Sequence, residues 1–476
     1  MGRYAEDASH RSTHPERPAR RYTRTHHAPD EAAPGTRLLQ AVRERLGHTG
    51  FFLVSLPPAR FLALLVLLHL VLVVPLLFVT THFLPLDRAP TSDVHIFNER
   101  AAAILSGDFA MQTTRILPAD TPPLVNYLLV PAYLMGGTID AYGTYLSFFP
   151  LLAAGILYLG LHASQSRFAV GAALLTVTHP TAWATSTLMA QDEVLLAPVF
   201  ALVLVGLVRM RLGSAAAWTG VGVLTKAWTI IGAPIVVLAA KGLIGKSRVF
   251  VAGILPALVL GLPFLLLAPE YMAYVTRFYG GGVRPDRDTP SGISFWRFLA
   301  DLNGGIAEAA LIALLAVVSV VLWWLVARRW MHPLAGYAAV HVVFFLLYPK
   351  IHFGYYLFLV IALLPFLVAR ARAAFLLLVL PAVAGLTHLL WLHVLPGSIQ
   401  TLGIRLVLSS LTSAVVIATA WTAARHARSH PSRGGAYAPP SVTDNAFTGT
   451  VTVALLGALS AIGTVAVITT WGLSAA

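Results

Sequence analysis

From residue 59 to the C-terminus, long apolar runs alternate with short polar breaks. The runs cluster near the roughly 20 residues that a helix needs to cross about 30 Å of hydrocarbon. Runs at 61–84, 142–161, 168–186, 194–208, 212–225, 228–240, 249–268, 306–326, 333–347, 355–369, 375–395, 402–424 and 450–471 predict about thirteen helices of spanning character. The fold class is therefore an all-α polytopic membrane protein. One further apolar run, 122–135, is of a length more often re-entrant or interfacial than spanning, and it is expected to stay on one face. Between the first two spans, 85–123 is polar and holds Asp87, Asp93, Glu99, Asp108 and Asp120. Within it, Val94, Phe97, Ala101 and Leu105 recur at helical spacing. That spacing predicts an interfacial helix over 93–106, lying on the membrane surface in the first outer loop.

Composition agrees. Hydrophobic residues make up 57% of the 476 and charged residues 11%, against about a quarter charged in a soluble domain. The net charge of +13 does not point to nucleic acid, because Lys and Arg lie in short clusters between apolar runs rather than on one basic domain. Those clusters set the topology instead, since basic loops stay in the cytoplasm. The tail, with Arg17, Arg20, Arg21, Arg24, Arg43 and Arg45, puts the N-terminus inside; the threading then brings Arg167, Arg209, Arg248, Arg328, Arg370 and Arg425 to the same side. Four segments follow: a disordered basic cytoplasmic tail over 1–58, a membrane domain over 59–424, a cytoplasmic linker over 425–448 and a C-terminal transmembrane helix over 449–476. There is no cysteine, which removes disulfides, thiolate catalysis and cysteine-ligated metals. His179, His388 and His393 lack a metal-binding spacing and are taken as structural.

Some charges have no topological reason. Arg115, Lys226, Arg277, Arg284, Arg287, Arg297, Lys350 and Arg405 fall on or near the outer side, beside the carboxylates Asp93, Asp120, Asp192 and Glu193. One set of acids and one set of cations suits transfer of a sugar from a lipid phosphate. Phosphate leaves without being protonated, so a single carboxylate to deprotonate the acceptor hydroxyl suffices, with cations to take up the charge growing on phosphate. Asp93 is the candidate base. Lys226, Lys350, His352 and Arg277 are the candidates for holding the donor phosphate, and Asp120, Gln191, Asp192 and Glu193 for positioning the acceptor. Plainer roles stay open: Asp93 as cap of the surface helix, Asp192 and Glu193 as a capping pair, Lys226 snorkelling to the interface, and Lys350 as an incidental member of an aromatic belt. The run Gly280-Gly281-Gly282, with Arg277, Arg284 and Arg287, is expected to form a mobile clamp on phosphate or simply a solvated loop. A transporter or lipid flippase is the rival from another class, but no paired repeat with broken helices is visible.

The order of Asp93, Thr121-Pro-Pro-Leu, Gln191-Asp-Glu, Gly220-Val-Gly-Val-Leu-Thr-Lys and Lys350-Ile-His-Phe-Gly-Tyr-Tyr-Leu resembles the GT-C superfamily of membrane glycosyltransferases. Within it, the chain is most similar to the polyprenyl-phosphate-mannose-dependent mannosyltransferases, relatives of the phosphatidylinositol mannoside and glycosylphosphatidylinositol enzymes. The resemblance covers roughly 64–364. It implies a GT-C-like bundle in the cell membrane with its active site on the outer face. The reaction it implies is an inverting transfer, without metal or other cofactor, from a polyprenyl-phosphate sugar to a lipid or glycan acceptor, with Asp93 as base and Lys350 and His352 near the donor phosphate. Mannose rests on the resemblance alone. Two departures stand out: Asp93-Val-His-Ile-Phe has no second adjacent acid, and Gln191-Asp-Glu replaces the commoner Gln-x-Asn.

Overall fold

A computed structural model describes residues 34–83, 93–109, 121–279, 291–303, 308–368, 371–391, 397, 399, 401–429 and 442–475. The chain divides into a short unit, Met1–Glu44, and a compact unit, Arg45–Ala476, which carries everything below. The helices are α1 Pro34–Ser55, α2 Pro58–Phe83, α3 Val94–Ser106, α4 Pro123–Leu134, α5 Ile139–Leu161, α6 Ser166–Thr178, α7 Pro180–Trp183 and α8 Ala197–Val208. They continue as α9 Leu212–Thr225, α10 Ala233–Ala239, α11 Gly242–Leu267, α12 Pro269–Tyr279, α13 Phe295–Asn303, α14 Glu308–Ala327 and α15 Pro333–Leu347. The last four are α16 Tyr356–Leu367, α17 Ala371–Trp391, α18 Leu402–Ser429 and α19 Asp444–Ala475. Two short strands, β1 Ser291–Gly292 and β2 Lys350–Ile351, pair in parallel.

Each predicted run overlaps a helix, although 168–186 and 228–240 are interrupted. Among the described residues six helices, α2, α5, α11, α14, α18 and α19, are long and apolar enough to cross a membrane, and the remaining apolar helical stretches span 10–17 residues each. The six mark a multi-pass membrane protein. Burial follows from lipid as solvent: α11 buries only Val249, Gly261 and Phe264 and leaves Leu255, Val259, Leu262 and Leu266 exposed, as a lipid-facing helix must. By contrast α16 is apolar all round and buried along its whole length, the mark of a helix at the centre of a bundle.

Three boundaries differ from expectation. A helix, α1, occupies 34–55, where the sequence reads as disordered tail; residues 1–33 lie outside the described residues. The linker narrows because α18 runs on to Ser429 and α19 begins at Asp444. Nor does α19 stand apart as a segment of its own: it packs on α2, α6 and α17, so closely that a Cβ on Gly457 would lie 2.6 Å from the Thr178 carbonyl oxygen.

Between the runs 249–268 and 306–326, where no element is predicted, the described residues are folded: α12 and α13 bracket β1. Tyr271 and Val275, one turn apart, give α12 an apolar stripe that packs with Ala103 of α3, Phe264 of α11 and Ala268. A buried chain of hydrogen bonds secures it, as Asn126 Nδ2 donates to Tyr271 Oη at 3.0 Å and the Tyr271 hydroxyl donates to the Thr121 carbonyl.

Candidate functional site

The expected span 168–186 breaks where a proline requires it. His179 precedes Pro180 and leaves the helical region (φ −63°, ψ 132°), its ring nitrogen accepting from the Thr181 amide, because the proline ring disfavours helix at the preceding residue. After α7 comes a π-helical turn, Ala184–Leu188, then Ala190 with φ 47°, a left-handed conformation uncommon for any residue with a Cβ. The Gln191 amide closes this reversal on the Thr185 carbonyl at 2.9 Å. Directly after it, Asp192 and Glu193 open a 3-10 turn, Asp192–Leu196, with no side-chain capping bond from Gln191. Both acids are buried.

Lys226 arrives from the other side in the same manner. It ends α9 in an extended conformation (φ −145°, ψ 115°) before the 3-10 turn Ala227–Gly232. Its Nζ donates to Asp192 Oδ1 at 2.8 Å and lies 3.8 Å from Glu193 Oε1. So the lysine is held by the acids rather than snorkelling. They form one buried acid–lysine cluster. Burial raises the Glu193 carboxyl above the usual glutamate range against the pull of Lys226, and Asp192 pushes it the same way.

Asp93 stands at the N-cap position of α3, yet its carboxylate makes no capping bond and its backbone (φ −92°, ψ 19°) is not extended, as a capping residue's normally is. Its side chain is therefore left for other work. Asp93 is solvent-accessible, while the protein packed around its carboxyl still raises its pKa by desolvation; Asp192 raises it further, and Lys226, Arg100 and His95 pull it down. These couplings put Asp93 within electrostatic reach of the acid–lysine cluster. A second anchor fixes α3: Asn98 Nδ2 donates to the Gly137 carbonyl at 2.8 Å, and Tyr142 Oη donates to Asn98 Oδ1 at 3.1 Å.

The Lys350–Tyr355 segment meets the cluster through Gly354. A Cβ there would lie 2.7 Å from Thr185 Cγ2 and 3.1 Å from Glu193 Cβ, so only glycine lets the segment come this near. Lys350 and His352 are half-buried. The structure thus joins Asp192, Glu193 and Lys226, with Asp93 coupled to them electrostatically and the Lys350–His352 segment alongside. Arg277 lies in α12, and Asp120, Arg284, Arg287 and the 280–282 glycines lie outside the described residues. Arg297, counted among the unexplained cations, pairs with Asp301 one turn on, at 3.4 Å. His179 is structural: its second ring nitrogen bonds the Leu377 carbonyl at 2.8 Å. The hollow lined by Leu243, Ile244, Ser247, Arg248 and Val251 and that lined by Tyr145, Phe148, Phe149, Leu151 and Leu152 do not touch the cluster.

Arg100, buried on α3, was missed by the sequence reading. The available signal was its spacing seven residues from Asp93, two helical turns along the same face. Gly354, Asn98 and Tyr142 carried no comparable signal, since their partners are distant in the chain.

No family model matches the chain, and no curated protein matches it. The chain is similar to two solved structures: ArnT from Cupriavidus metallidurans in the apo state, at 21% identity over 82% of this chain and 76% of that one, with a TM-score of 0.43; and the same protein bound to undecaprenyl phosphate, at 20% identity over 83% and 77%, with a TM-score of 0.44. At that identity and TM-score the likeness assigns neither fold nor activity.

Proposed function

We propose that this chain is a membrane-embedded glycosyltransferase of GT-C type, moving a sugar from a polyprenyl-phosphate donor to a lipid or glycan acceptor at the outer face of the membrane. What carries the reading is the buried Asp192–Glu193–Lys226 cluster, with the Lys350–His352 segment beside it and the non-capping Asp93 coupled to it electrostatically. Asp93 takes the proton from the acceptor hydroxyl as that oxygen attacks the anomeric carbon. The bond from that carbon to the phosphate oxygen breaks on the opposite face, and polyprenyl phosphate leaves with inversion at the sugar. A raised pKa makes Asp93 a stronger base once ionised. Lys350, His352 and Arg277 hold the departing phosphate, and Lys226 divides its charge between Asp192 and the donor. Asp120, Gln191, Asp192 and Glu193 orient the acceptor.

Mannose is the sugar favoured by the motif resemblance. Membranes containing the chain, incubated with a panel of radiolabelled polyprenyl-phosphate sugars, should transfer label from one of them to a lipid or glycan, and failure with every sugar would sink the reading. For the outer face, single cysteines at 192 and 350 should react with an impermeant thiol reagent in intact cells, and cysteines at 167 and 425 should not. The reverse pattern would invert the topology.

A further inference from the structure

α15 ends at Leu347 and is followed by Tyr348 and Pro349, so its last carbonyls lack intrahelical donors and Pro349 has no amide to offer. Donors from the stretch after α12 reach one of these carbonyls and two in the residues that follow. The Trp296 indole Nε1 donates to the Leu346 carbonyl at 2.7 Å, Ser294 Oγ donates to the Tyr348 carbonyl at 3.4 Å, and the Ile293 amide donates to the Ile351 carbonyl at 2.8 Å. The two strands pair in the register Ser291 with Lys350 and Gly292 with Ile351. Gly292 is built for this approach: its φ is +71°, and a Cβ would stand 2.2 Å from the Ile351 carbonyl oxygen and 3.5 Å from His352 Cε1. On its far side the same Lys350–Tyr355 segment rests on Glu193 through Gly354.

We infer that residues 291–296 are the positioning element for the donor site: their hydrogen bonds to the carbonyl groups of Leu346, Tyr348 and Ile351, with Gly292 at close approach, set the path along which Lys350 and His352 are presented to the phosphate of the donor. The inference rests on the reading of Lys350 and His352 as donor-phosphate ligands. Specificity for the donor head then depends on a stretch that contributes no phosphate ligand of its own, and its failure should appear in donor binding before it appears in acceptor use or in insertion.

The test measures binding of tritiated undecaprenyl phosphate to the purified full-length chain in detergent, and donor and acceptor KM where transfer is active. Lys350→Ala should weaken binding about 10-fold to 100-fold, the worth of a charge-assisted contact. Gly292→Ala should weaken it about 10-fold or more, because the strained residue must push Ile351 and the backbone beside His352 aside. Trp296→Phe keeps the ring and loses one hydrogen bond, and should weaken it about 2-fold to 10-fold. Acceptor KM should stay at the wild-type value in both. Combined with Lys350→Ala, Gly292→Ala should add little, since both act on one contact. If Lys350→Ala binds like wild type, the phosphate-ligand reading fails. If Lys350→Ala is weakened while Gly292→Ala and Trp296→Phe bind normally, or if their effects add fully to that of Lys350→Ala, the positioning role alone is overturned. Should Gly292→Ala fail to insert, Trp296→Phe decides on the same criteria.

Discussion

Lys226 and Asp192 approach to 2.8 Å, and Arg167 and Asp444 approach to 2.7 Å, yet the two ion pairs live in different surroundings. The side chains of the first pair are 8% and 5% exposed, those of the second 40% and 85%. Arg167 begins the segment made of α6, α7 and the π turn, and Asp192 follows it, so one stretch of chain carries an ion pair at each end. The buried pair has a second acid at 3.8 Å and Asp93 within electrostatic reach; the other tethers the start of α19, helped by Arg167 Nη1 donating to the Val442 carbonyl at 3.2 Å. Taking each ion out of water costs several kcal/mol, so a buried pair adds little net stability over well-packed apolar residues. An acid–lysine cluster held at that cost, next to an uncapped aspartate, is better explained by chemistry. The exposed pair needs no such account.

The largest expected effect separates the roles of Asp93. Asn caps a helix about as well as Asp but cannot take a proton. In Asp93→Asn, turnover should fall by about 10² to 10⁴-fold, the usual worth of a positioned base, with insertion and donor binding close to wild type. Near-normal turnover would remove Asp93 from the chemistry.

Next in size is the buried pair itself. Lys226→Met strands Asp192 and Glu193 without their cation, and breaking a buried pair from one side costs about 3 to 5 kcal/mol. Thermal unfolding in detergent should register the loss. Adding Asp192→Asn to Lys226→Met removes one of the stranded charges and should recover part of the stability. If the double variant were no more stable than Lys226→Met, the pair would not be coupled in the way its geometry implies.

Smaller shifts should appear in the pH profile. Burial, and then the Asp192 carboxylate, raise the pKa of Asp93, while Lys226 lowers it. As a base it works only when deprotonated, so activity should be lost as pH falls, over a range above that of an ordinary aspartate. Asp192→Asn removes a like charge and should move this acid limb to lower pH. Lys226→Met removes an opposing charge and should move it to higher pH. Limbs that stay put in both variants would mean that Asp93 and the cluster do not sense each other.

How much of this was legible beforehand differs between fold and site. The helices were readable because in lipid each one must satisfy its own backbone and expose apolar side chains, and each predicted run met a helix. Their breaks were readable only in part. His179-Pro180 announces an interruption, but nothing local says that a π turn and a left-handed Ala190 will follow and deliver Asp192 and Glu193 inward. The candidate residues were found by charge without topological cause. Their partners were not, because Lys226 and Asp192 are 34 residues apart and Gly292 meets Ile351 across several helices. The stretch 269–303 yielded no predicted element because its polar residues break the apolar pattern, although Tyr271 and Val275 had the spacing of a buried stripe.

The smallest effect belongs to the exposed pair and completes the contrast. Arg167 and Asp444 lie in water-accessible positions, where solvent screens the attraction and holding two long side chains in place costs entropy; such pairs contribute about 0 to 1 kcal/mol. Arg167→Ala loses in addition one hydrogen bond to the Val442 carbonyl, which water can replace at the surface. Its unfolding temperature should therefore drop only slightly, and Asp444→Asn should drop it less, since the Val442 contact survives. Turnover and the acid limb should match wild type in both, because neither residue approaches Asp93. High salt should narrow the gap between Arg167→Ala and wild type, while the loss in Lys226→Met, shielded from ions by burial, should persist. A large destabilisation in Arg167→Ala, insensitive to salt, would show that the start of α19 is held as firmly as the acid–lysine cluster, and the distinction drawn from exposure would collapse.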